Sequence, residues 1–64
     1  MEDGVISSVQ DFGAGSITPD AGGDDVLFRR AAFSEAWTYA IVGRRVSFAR
    51  DPIQRNKAIR VVGL

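Results

Sequence analysis

Two short runs that alternate apolar with small or polar residues, parted by turn-forming text, set the pattern of this chain. Gly13-Ala14-Gly15-Ser16-Ile17-Thr18-Pro19-Asp20 is answered by Asp24-Asp25-Val26-Leu27-Phe28-Arg29, and Pro19 to Gly23 supplies both a fixed and a permissive φ for a reversal. The pair predicts a β-hairpin. Period two puts Gly15 and Ile17 on one face of its first strand and Ala14 and Ser16 on the other, while Val26 and Phe28 share one face of the second and Leu27 and Arg29 the opposite one. Around the hairpin, Gly4 to Val9, rich in β-branched residues, reads as a first strand and Gly43-Arg44-Arg45-Val46-Ser47-Phe48 as a fourth. Asp51 to Asn56 is a loop, with Pro52 holding its predecessor extended, and Lys57 to Leu64 forms a last strand whose alternation places Ile59 and Val61 inward. Ala31 to Ala40 is the only helix-compatible stretch and, with Ser34 or Thr38 as caps, holds one turn within a long connection. Nothing repeats and no second domain is marked, so residues 1–64 read as a single all-β domain.

The text Gly-Ala-Gly-Ser-Ile-Thr-Pro-Asp followed by Gly-Gly-Asp-Asp-Val-Leu-Phe-Arg, with Val46-Ser47-Phe48 later, resembles the cold-shock domain family, whose paired strands run close to KGFGFITPD and DDVFVH. The resemblance implies a small five-stranded antiparallel OB-fold barrel, cold-shock-domain-like, with Ile6, Val26 and Phe28 inward and an outer face on strands two and three that binds single-stranded RNA or DNA. The frame is shared more than the aromatics. Aligned with the family, the lysine and tryptophan of the first strand fall on Ser7 and Ser8, two phenylalanines fall on Ala14 and Ser16, and a phenylalanine and histidine fall on Leu27 and Arg29. The turn Gln10-Asp11-Phe12-Gly13 is one residue shorter than the family's. Arg30 stands where an aromatic is frequent, and Trp37 lines up with a loop aromatic used for stacking, although a lone tryptophan in so small a domain also fits a core or lid position. The binding set that the resemblance implies is therefore Ser8, Ala14, Ser16, Leu27, Arg29, Arg30, Trp37 and Lys57, with Arg60 as a further cation. Stacking of a base on an aromatic ring is worth roughly 1 to 3 kcal/mol, so the loss of two rings lowers affinity by about two to four decades if the contributions add. A second OB-type resemblance, to S1 RNA-binding domains, rests on Gly4-Val5-Ile6 and Asp11-Phe12-Gly13-Ala14 and fades after them.

Composition narrows the chemistry. Sixty-four residues bury one small core, and with no cysteine and no histidine the chain has neither a disulfide nor the usual ligands of a structural zinc. With one lysine as well, no nucleophile and base assemble; no enzyme, metal or cofactor is expected. Asp24 and Asp25 read as strand-entry residues, or as half of a cation site, and Gly13-x-Gly15 lacks the third glycine of a dinucleotide fingerprint. Net charge is zero, yet residues 1 to 25 carry six acids and no base, while residues 26 to 64 carry eight bases against Glu35 and Asp51. Such asymmetry either forms a basic stripe or pairs the two halves across adjoining strands. No apolar run approaches the roughly 20 residues of a membrane span, and the acidic start is unlike a secretory signal, which together predict a cytoplasmic protein, or a nucleoid-associated one if it binds DNA.

Two functions fit. The first is a single-stranded nucleic-acid-binding protein of RNA-chaperone or antitermination type, a role the resemblance implies, with weakened stacking and salt-sensitive arginine contacts. The alternative is a barrel that has left nucleic acid and uses Leu27, Arg29, Arg30 and Trp37 to dock a protein partner or a second copy of itself.

Overall fold

Alternation becomes a barrel in the computed structural model, which describes residues 1–64 except the side chain of Tyr39. Strands β1 (Glu2–Val9), β2 (Ala14–Pro19), β3 (Val26–Arg29), β4 (Arg45–Arg50) and β5 (Lys57–Gly63) close in the order β1-β2-β3-β5-β4, and β4 pairs back onto β1. This all-β ring is a small barrel of the OB type. One pair departs from the antiparallel expectation: β3 and β5 run parallel, with Leu27 opposite Lys57 and Phe28 opposite Ala58. The reason is arithmetic. Antiparallel pairing reverses direction at every step, so a closed ring with an odd number of strands must contain at least one parallel neighbour.

The hairpin pairs Ala14 with Arg29 through to Ile17 with Val26, a register that sets the predicted inward pair Gly15 and Ile17 opposite Phe28 and Val26. Its inward residues meet those of the other strands, and Ile6, Ile17, Val26, Phe28, Val46, Phe48 and Val61 are all almost fully buried. Gly15 is needed where it stands, because a Cβ there would lie 2.8 Å from the Phe28 ring and 2.9 Å from the Ser8 carbonyl oxygen. The barrel is pinched at this point, and a side chain would force it open.

Two bulges break the alternation. In β1 the pairing steps from Ile6 opposite Ile17 to Ser8 opposite Ser16, leaving Ser7 as the extra residue and turning Val9 into the core. In β5 it steps from Arg60 opposite Ala49 to Ala58 opposite Arg50, leaving Ile59 over. Ile59 is accordingly 53% exposed and Ala58 takes the inward place, a correction to the sequence reading, in which uninterrupted period two carried Ile59 inward with Val61. Val61 is buried as expected.

The connection after β3 forms two single 3-10 turns, Arg30–Ala32 and Tyr39–Ile41, and no α-helix. Phe33 and Ile41 anchor it in the core, and the Ser34 amide donates to the Val61 carbonyl at 3.0 Å. Three ion pairs are bidentate: Arg45 with Asp20 and Arg50 with Glu2 join the acidic and basic parts of the chain, and Arg44 pairs with Glu35. Among the described residues no helix is long and apolar enough to cross a membrane.

Candidate nucleic-acid interface

Register alone assembles a row on the outside of the barrel. Ser8 lies opposite Ser16, Ser16 opposite Leu27, and Leu27 opposite Lys57, so four of the eight sequence-predicted positions cross β1, β2, β3 and β5 side by side. Ala14 and Arg29 form the adjoining pair. Their side chains nevertheless divide this face into two unlike parts.

The first part is a closed network of hydroxyls around a carboxylate. The Ser16 hydroxyl lies 2.7 Å from the hydroxyls of both Ser7 and Ser8, Ser7 donates to Asp25 at 3.2 Å, and Thr18 donates to the other Asp25 oxygen at 3.0 Å. It offers no ring to stack on and carries negative charge. Ser8 and Ser16 are thus occupied with each other, and an approaching phosphate would meet Asp25.

The second part is an open groove of roughly 280 Å³ lined by Phe12, Ala14, Leu27 and Arg29 together with Gln54, Asn56 and Lys57. Apolar surface is exposed here, Phe12 at 77% and Leu27 at 54%. Phe12 reaches this position because the β1–β2 turn is closed by Gln10 donating to the Ala14 carbonyl at 2.7 Å, with Gly13 at a φ of 86° that a side-chain-bearing residue rarely adopts. Phe12 was missing from the sequence-predicted set. Alternation ends at Gln10 and gives no face to a turn residue; the available signal was an aromatic inside a tight turn beside the strand that lacks its rings.

The opposite wall comes from the β4–β5 loop, which is rigid for a local reason. One Asp51 carboxylate oxygen accepts from the amides of Ile53 and Gln54 at 2.8 and 3.0 Å, and these two bonds hold its carboxyl below the ordinary carboxylate range. The Gln54 carbonyl then accepts from the Lys57 amide and the Asn56 carbonyl from the Leu27 amide. Both backbones are fixed, and neither side-chain amide makes a hydrogen bond among the described residues.

Arg30 and Trp37 lie elsewhere. They line a separate depression with Val9, Gln10, Asp11 and Thr38. The Trp37 ring stands edge-on to Phe28 and Phe33, with centroids 5.5 and 6.4 Å apart, and its indole N–H donates to the Gln10 carbonyl at 3.2 Å. This is the lid position, covering one end of the core. Asp11 beside Arg30 leaves that depression of mixed charge.

Charge separates the same way. Arg44, Arg45 and Arg50 are engaged by carboxylates, whereas among the described residues no ion pair engages Arg29, Arg30, Lys57 or Arg60. Arg45 and Arg50 hold Asp20 and Glu2 below the ordinary carboxylate range, chiefly by direct hydrogen bonds. No group of three or more potential metal ligands occurs among the described residues. No family model matches the chain, and no curated protein is significantly similar to it.

Proposed function

We propose that this barrel is a cold-shock-like, non-enzymatic binder of single-stranded RNA or DNA in the cytoplasm, and that it binds through the groove between the β1–β2 turn and the β4–β5 loop. One observation carries the reading: an apolar floor with an exposed ring, Phe12 beside Leu27, is flanked by Arg29 and Lys57, two cations that form no ion pair among the described residues. A base has a π-face for Phe12 and an apolar body for Leu27, and the phosphates on either side of it suit the two cations. Contact is narrower than a full stacking platform, because the Ser7, Ser8 and Ser16 end of the face has turned polar and acidic. Binding is therefore weak, with a modest salt dependence set by the two cations.

The test is fluorescence anisotropy of a short labelled pyrimidine-rich strand titrated with the protein at low and at near-physiological salt, beside a duplex control. Saturable single-strand binding that weakens log-linearly with salt supports the reading; no binding at low salt, with protein well above micromolar, overturns it. A second reading, a barrel that docks a protein or a second copy of itself, draws on the same exposed Phe12 and Leu27 and takes over in that event.

A further inference from the structure

Resting on the nucleic-acid reading, we infer that the groove holds one unpaired base and reads its hydrogen-bonding edge with the side-chain amides of Gln54 and Asn56. The argument starts from what the groove offers besides charge and apolar surface. Each amide presents two N–H donors and a carbonyl acceptor, and both line the same groove as Phe12 and Leu27. Their main chains are held by the Asp51 turn and by the bond to the Leu27 amide, so the side chains project from a fixed base rather than from a mobile loop. Neither amide has a partner within the chain among the described residues, and neither is needed to close the loop.

One exposed ring, Phe12, lines the groove and gives one base a π-face to stack on. Every base carries both donors and acceptors on its Watson–Crick edge, which matches a pair of amides and is unavailable in a duplex. The selection of single strands thus follows from the edge as well as the π-face. Arg29 and Lys57 serve all sequences alike, whereas Gln54 and Asn56 distinguish them.

The experiment compares wild type with the Gln54→Ala/Asn56→Ala double variant on four short homopolymeric strands and on one strand carrying a single abasic position, each over a salt series. Because both side chains are exposed and only their backbones carry bonds, thermal melting should be unchanged. The expected result is a wild-type spread among homopolymers of at least about fivefold, which collapses in the variant while the salt slope stays the same. A spread that survives in the variant, or a wild type indifferent to base, overturns base-edge reading and leaves the nucleic-acid reading in place. Failure of the wild type to bind any strand overturns both.

Discussion

Phe12 and Gly15 show how single positions carry this barrel in opposite ways. Phe12 is three-quarters exposed and contributes little to the core, so Phe12→Ala should leave the melting temperature nearly unchanged. If the ring stacks on a base, the same change weakens single-strand binding by about 1 to 3 kcal/mol, read as the ratio of dissociation constants. Gly15 behaves conversely. A methyl group there meets the Phe28 ring and the Ser8 carbonyl at under 3 Å, and overpacking of this kind costs about 1 to 3 kcal/mol in urea-unfolding stability. An unshifted urea midpoint for Gly15→Ala would show that the pinch between β1, β2 and β3 is not tight.

Strand identity was legible because parity survives in short, uninterrupted runs. The hairpin and β4 have their inward and outward residues where alternation puts them, down to Ala14 opposite Arg29 and the burial of Val46 and Phe48. Parity failed where a bulge adds a residue that a two-step count cannot see, which is why Ile59 faces out and Ala58 faces in. Ile59→Thr should therefore change stability by less than about 0.5 kcal/mol, while Val61→Ala, two residues on, should cost about 1 to 3 kcal/mol in the same denaturation assay. The divided outer face was equally illegible, since the bonds from Ser7 and Thr18 to Asp25 join three elements that are apart in sequence. The ends of β1 and β2 are tied to β4 by Glu2 with Arg50 and Asp20 with Arg45. These carboxyls, with Asp51, are held below their ordinary values, so their contribution is present at neutral pH and fades as pH falls from about 4 through the lower folded values. Thermal midpoints should fall over that acid window, and a Glu2→Gln/Asp20→Asn variant should show a shallower decline.

A chain of zero net charge can still present a basic site, because its acids are placed to neutralise some arginines and not others. Asp20, Glu2 and Glu35 engage Arg45, Arg50 and Arg44, which leaves Arg29 and Lys57 to set the potential of the groove. If these two neutralise about two phosphates, the logarithmic salt slope is about −1.4, and Arg29→Ala should reduce its size by about 0.7. On the proposed reading, the acidic hydroxyl network beside the groove should confine a bound strand to one end of the barrel. Mapping backbone amide shifts by NMR, with a short pyrimidine-rich strand added at low salt, tests that placement most directly. Perturbations should gather at Phe12, Ala14, Leu27, Arg29, Gln54, Asn56 and Lys57 and spare Ser7, Thr18 and Asp25; shifts centred on the serine network, or none at all, would contradict it.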